Sequence, residues 1–170
     1  QAGRPRRIGL LSMAGSAADF PERQTLDALR ALGLVDGGNV VVERRYAGGD
    51  SALLAQYAAE LVRLKVDVIL TFSAGVGAAK RATDTIPIVF GTSQDPVRTG
   101  FVASLARPGG NLTGATFLTD ELAGKRLALL KAALPGISRA AVLWEPAHID
   151  NEFRGMQAAA PEAGIELQSL

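Results

Sequence analysis

Apolar positions come in short blocks, and between the blocks they recur at helical spacing. Residues 7–12 form a short apolar run followed by small residues, which predicts a buried first strand. A small-residue loop follows, with Asp19 as candidate N-cap and Pro21 and Glu22 in the first turn of a helix. Leu26, Ala28, Leu29 and Leu32 carry its apolar spacing, and Gly33 ends it. The β-branched run 40–46 predicts a second strand. A second helix to Leu64 sets Leu53, Leu54, Tyr57, Ala58, Leu61 and Val62 inward. Residues 67–72 predict a third strand, Ser73 and Ala74 open a third helix to Ala82, and a fourth strand ends at Phe90, starting late because of Pro87.

Further on, the pattern predicts a short helix over 101–105, a turn at 107–111 and a short strand over 112–117. A long helix over 120–134 places Leu122, Leu127, Leu130 and Leu134 on one stripe and stops at Pro135-Gly136. Residues 140–144 read as another buried strand, then a helix capped by Asp150 or Asn151 runs to Ala163, and 165–170 alternate like a strand. Strands alternating with helices predict an α/β fold with a doubly wound parallel sheet, then the beginning of a second similar lobe. We place the boundary between 1–117 and 118–170. The strand-like end at 165–170, without a closing element, reads as a cut inside a larger fold.

Composition narrows the function. The 170 residues are 48% hydrophobic and 21% charged, which argues against disorder. No apolar run reaches the roughly 20 residues of a membrane-spanning helix. A net charge of +1 gives no field for nucleic acid or anionic lipid, so no nucleic-acid partner is expected. With no cysteine and one histidine, thiol chemistry, disulfides and multi-histidine metal sites are excluded. The chain begins at Gln1 with no visible signal sequence, which fits a trimmed cytosolic protein or one whose signal peptide has gone.

In an open parallel sheet, ligands bind beyond the carboxyl ends of the strands. Loops 12–16, 73–77 and 91–95 leave those ends, and none contains Lys or Arg. The first two lead into helix starts, whose unpaired N–H groups favour a carboxylate or phosphate. Ser12, Ser73 and Thr92 add hydroxyls, and Asp95 can accept from an ammonium group. The set suits a small zwitterion better than a polyanion; read blandly, the same residues are caps and turns. Gly75-Val-Gly-Ala-Ala-Lys80 matches a nucleotide loop weakly, without a third glycine or a Gly-Lys-Ser/Thr ending, and also reads as small residues packing on a sheet.

No catalytic constellation stands out. His148 reads as a surface residue, with Glu145 and Asp150 near it as candidate pocket walls. Asn111-Leu-Thr113 matches a glycosylation sequon but is read as a turn. Glu43-Arg-Arg45 reads as a solvated strand edge, and Arg4, Arg6 and Arg7 as a flexible basic tail.

Several stretches carry a resemblance: Arg7-Ile-Gly-Leu-Leu-Ser12, Ala79-Lys-Arg-Ala-Thr-Asp-Thr-Ile-Pro-Ile-Val89, Glu121-Leu-Ala-Gly-Lys-Arg-Leu127, Ala141-Val-Leu-Trp-Glu-Pro146 and, most specific, 103–114 with its Ala-Arg-Pro-Gly-Gly-Asn-Leu-Thr-Gly114. On these the chain resembles the ABC-transporter substrate-binding proteins of the aromatic-amino-acid-associated branch, type I periplasmic binding proteins. The resemblance implies lobe one plus the first part of lobe two of a protein that closes on its ligand about a hinge. It implies no enzyme activity and no cofactor, an extracytoplasmic location with the signal peptide removed, and a small-molecule solute and a membrane ABC permease as partners. It implies ligand contacts from Ser12 and Met13 after strand one, Ser73, Ala74 and Gly75 after strand three, and Thr92 and Asp95 after strand four. Relatives often have Asn-Pro where this chain has Glu145-Pro146. The unfinished sheet edge of lobe two predicts a homodimer, with exchange of 118–170 as one route. The rivals are a Rossmann-like nucleotide-dependent enzyme and a ligand-sensing domain of a regulatory or signalling protein.

Overall fold

The computed structural model of the chain describes residues 5–16, 18, 22–144 and 152–170. The expected roles of Arg4, Asp19 and Pro21, and of Glu145, Pro146, His148, Asp150 and Asn151, fall outside them. In chain order the elements are β1 (Arg6–Ser12), α1 (Glu22–Ala31), β2 (Val40–Tyr46), α2 (Ser51–Arg63), β3 (Val68–Phe72), α3 (Ala74–Ala82), β4 (Ile88–Thr92), β5 (Leu112–Thr116), α4 (Thr119–Ala133), β6 (Arg139–Val142), α5 (Glu152–Ala163) and β7 (Glu166–Ser169). They divide into two units. The first is Gln1–Thr92 with Pro96–Ala115, and the second is Ser93–Asp95 with Thr116–Leu170.

The first unit holds a five-stranded sheet in the order β2-β1-β3-β4-β5. The pairs β1/β2, β1/β3 and β3/β4 are parallel. The chain steps from β1 outward to β2, then back across β1 to β3. Right-handed crossovers in opposite directions set helices on opposite faces. Hence Leu26 and Leu29 of α1 pack with Ile8, Leu10, Val40 and Val42. On the other face Leu54, Ala58 and Leu61 of α2 and Val76, Ala78 and Ala79 of α3 pack with Leu11, Ile69, Ile88 and Phe90. β1 lies between both layers, so its last five residues are all buried.

Helix ends follow local chemistry. The Asp50 carboxylate accepts from the N–H groups of Ala52 and Leu53 and caps α2. Gly33 and Gly164 adopt positive φ, and the residue after each bonds back five positions, Leu34 to the Leu29 carbonyl and Ile165 to that of Ala160. Lys65 plays the same part after α2 at φ 52°, a conformation that a side chain makes costly.

The second unit carries a two-stranded parallel sheet of β6 and β7. Leu127, Ala160 and Ile165 form its buried cluster, with Ala140 and Leu167 packed against it. Added to a glycine-sized position, a Cβ on Gly124 of α4 would lie 3.1 Å from that of Ala159 of α5.

Several expectations are corrected. No helix forms over 101–105; the segment makes turns, with Ala103 N–H bonded to the Pro108 carbonyl. The stripe predicted for α4 is not one buried face. Ala123 and Leu127 are buried, while Leu122 and Leu134 are exposed, because small residues set the approach to α5. β6 is half-buried rather than buried, since helices cover one of its faces. Leu32 at the end of α1 is exposed. Arg6 and Arg7 are not a tail but the first residues of β1, where Arg7 N–H donates to Asp67 at 2.7 Å. Glu43, Arg44 and Arg45 are half-buried and paired, with Arg7, Asp36 and Glu60 respectively.

Asp36 joins two of these contacts. Its carboxylate accepts from Val42 N–H and from the Arg44 guanidinium, both at 2.8 Å. The Val42 N–H above all, with Arg44 adding, holds its pKa below the usual carboxylate range. A depressed pKa stabilises the fold above the ordinary carboxylate value, and that stability is lost as pH falls through the folded value. Asp36→Asn is therefore expected to lower the urea midpoint at pH 7. The gap from wild type should close in acid, as read by circular dichroism in urea series across pH.

Candidate functional site

The carboxyl ends of β1, β3 and β4 stand side by side, since β3 pairs with both β1 and β4. Leu11 lies opposite Thr71, and Phe72 opposite Gly91, so Ser12, Ser73 and Thr92 end neighbouring strands on one edge. Six of the seven expected residues lie on this edge or in the first turn beyond it: Ser12, Met13, Ser73, Ala74, Gly75 and Thr92. Asp95 is half-buried and belongs with Ser93–Asp95 to the second unit. There Thr116 donates its hydroxyl to the Gln94 carbonyl at 2.7 Å and accepts from Leu118 N–H.

Each loop is held from behind. Ser12 is 2% exposed, and its hydroxyl oxygen accepts from Ala14 N–H at 3.0 Å. The carbonyls of Ser12, Met13 and Ala14 accept from the N–H groups of Ala47, Gly49 and Gly48, which zips this loop to the one after β2. Thr92 is 1% exposed at the end of β4. Beyond it Pro96 accepts from Phe101 and Val102, and Phe101 meets Phe90 edge to face at 6.3 Å. Lys80 of α3 donates to the carbonyls of Gly100 and Phe101, fixing this loop against the helix.

Only one residue, Ser73, separates β3 from α3. So sharp a turn forces φ 46° and ψ −115°, outside the regions open to most side chains. Ser73 N–H donates to the Gly91 carbonyl at 2.9 Å, and its hydroxyl makes no cap to the helix. The N–H groups of the first helical turn lack intrahelical partners and form the positive end of the dipole. Close packing makes this possible. The buried Thr71 hydroxyl donates to the Leu11 carbonyl at 2.9 Å, and a Cβ on Gly75 would overlap that hydroxyl. Chemically, loops 12–16, 73–77 and 91–95 offer hydroxyls and backbone donors and contain no Lys or Arg, which fits one carboxylate better than a polyphosphate.

The Gly75–Lys80 stretch packs: Gly75, Val76, Ala78 and Ala79 are all buried in α3. The Asn111 side-chain amide is spent on the carbonyls of Thr83 and Ile86, as a turn residue's would be. Sequence reasoning passed over Tyr46, half-buried and opposite Ser12 at the end of β2, and Phe72, whose ring leaves no room for a Cβ on Gly91. Both are last residues of strands, and that position was the available signal. Among the described residues no group of three His, Cys, Asp or Glu is placed to hold a metal ion, and no helix is long and apolar enough to cross a membrane.

Comparison with known proteins gives four findings. The family model described as ABC transporter substrate binding protein matches residues 14–170. A tyrosine-binding protein of Clostridioides difficile is 30% identical over 138 residues, which are 80% of this chain and 39% of that protein. A conserved domain protein from Vibrio cholerae matches with TM-score 0.84 and 27% identity, over 98% of this chain and 57% of the other. A Streptococcus pneumonia ABC domain in complex with L-Trp matches in fold, with TM-score 0.80 and 22% identity, again over 57% of its length. The chain thus spans about half the length of these relatives, or less.

Gly75→Ala is expected to destabilise the protein by about 2–4 kcal/mol, because neither the buried Thr71 hydroxyl nor the backbone beneath can give way cheaply. Adding Thr71→Ala should recover part of the loss, which urea unfolding of both variants would read.

Proposed function

From its membership of the ABC transporter substrate binding protein family, we propose that the chain is the solute-binding component, or part of it, of a membrane ABC importer. It works outside the cytoplasm and takes a small amino-acid-like solute at the carboxyl edge of β1, β3 and β4. The observation that carries the reading is the junction at Ser73. A strained, single-residue turn presents a helix start and a hydroxyl beside the ends of β1 and β4. Strain of this kind costs about 1–3 kcal/mol and persists where the surroundings over-determine it, commonly at ligand sites.

In this proposal Ser12, Met13, Ser73, Ala74, Gly75 and Thr92 take the carboxylate end of the solute, and Asp95 takes the ammonium. The 30% identical tyrosine-binding protein supports an aromatic amino acid as the first solute to try. Import, binding without bond making, and closure of two lobes on the solute belong to the same proposal and rest on the family. A homodimer through 118–170 is also part of the proposal, and it rests instead on the edges that a two-stranded sheet leaves.

Thermal melting against L-tyrosine, L-phenylalanine, L-leucine, tyramine, benzoate and NAD tests it. A saturating amino acid should raise the melting temperature, reflecting about 2.7 kcal/mol at a hundredfold excess over Kd. Tyramine, without a carboxylate, should not. A rise with NAD alone would contradict the proposal.

A further inference from the structure

β2 stands at one end of the strand order, so one side of it meets β1 and the other is an edge among the described residues. A strand edge presents a row of backbone N–H and C=O groups that another chain can pair with. In β2 the outward groups belong to Val40, Val42 and Arg44, and the protein turns its own groups onto them. Val40 N–H donates to the Val35 carbonyl at 3.3 Å, and the Val40 carbonyl accepts from Gly37 N–H at 3.0 Å. Val42 N–H donates to the Asp36 carboxylate at 2.8 Å. The Val42 carbonyl accepts from the Arg44 guanidinium at 3.2 Å, and the Arg44 carbonyl accepts from the Arg45 guanidinium at 2.8 Å.

Both arginines are anchored in these positions. Arg44 also donates to the second Asp36 oxygen at 2.8 Å, and Arg45 to Glu60 of α2 at 2.9 Å. Partly exposed ion pairs contribute little stability by themselves. What these two share is that each also closes a carbonyl of the strand edge. A second copy of the chain is the occupant this edge fits. Its outward residues alternate about Val42, so antiparallel pairing on a two-fold axis would set Val42 against Val42 and Val40 against Arg44, with the same groups offered by both copies. The Val40 and Val42 side chains are buried with those of α1, so the contact would be made by backbone.

We propose that Asp36, Arg44 and Arg45 form a guard that keeps the β2 edge from pairing with the β2 edge of a second copy of this chain. The guard is independent of the solute-binding reading.

Sedimentation velocity and amide hydrogen exchange across a range of protein concentration test it, on wild type, Asp36→Ala, Asp36→Asn, Arg44→Thr and Asp50→Ala. The last removes the cap of α2 and lowers stability away from the edge. Asp36→Ala and Arg44→Thr should form species larger than the wild type does at the same concentration, and Asp50→Ala should not. In dilute Asp36→Ala the Val42 amide should exchange about tenfold faster than in wild type, for the loss of one charge-assisted hydrogen bond, and slow again as concentration rises. Asp36→Asn keeps an acceptor oxygen for Val42 and should associate less than Asp36→Ala. Should Asp36→Ala fail to fold, Arg44→Thr, at a half-buried side chain, reads the same edge. Folded variants that sediment as the wild type does, with Val42 exchange independent of concentration, would overturn the guard. Equal association of Asp50→Ala would overturn it too, since lost stability alone would then explain the larger species.

Discussion

A hydroxyl buried between two strands decides where the helix beside it can begin. Thr71 has no exposed surface, so its oxygen must be satisfied inside the protein, and it donates to the Leu11 carbonyl. That bond ties β3 to β1 near their carboxyl ends and leaves a shallow place above it. Only a residue without Cβ fits there, which brings the first turn of α3 down onto the sheet at Gly75. With the helix so close, one residue is left to make the turn, and Ser73 bears the strain. The donor-rich edge of the first unit follows from that packing.

The sheet order sets this local arrangement at a topological switch point. Because β1 has β2 on one side and β3 on the other, the connections leave its end in opposite directions. In open α/β sheets such a parting of connections, here at the ends of β1 and β3, is where ligands bind. The loop after β1 is zipped to the loop after β2, and Lys80 and Phe101 hold the segment after β4. A pre-organised edge of this kind spends little ordering entropy on a small solute.

The strands and helices of the first unit were legible in the chain because burial on two faces leaves unbroken apolar runs, as in 8–11, and one-faced helices leave spaced leucines. The strand ends then located Ser12, Ser73 and Thr92 by topology alone. What the pattern concealed had tertiary causes. The helix expected over 101–105 has apolar residues, but Val102 and Phe101 are drawn to the core individually, by turns. The leucine stripe of α4 gave way to Ala123 and Gly124, because a close helix contact selects small residues. The charges of 43–45 looked solvated, since their partners Arg7, Asp36 and Glu60 lie far away in the chain or on another element. Trp144 read as part of a strand, and its stacking on Phe153 needs α5 folded back to be seen.

The central claim is that the edge formed by β1, β3 and β4 receives the solute. Backbone amide chemical-shift mapping during titration with L-tyrosine tests it most directly. The account predicts that Met13, Ala74, Gly75 and Thr92 show the largest shifts. Large shifts confined to the hollow over β6 and β7, lined by Arg139, Ala141, Glu166 and Gln168, with those four amides unmoved, would contradict it.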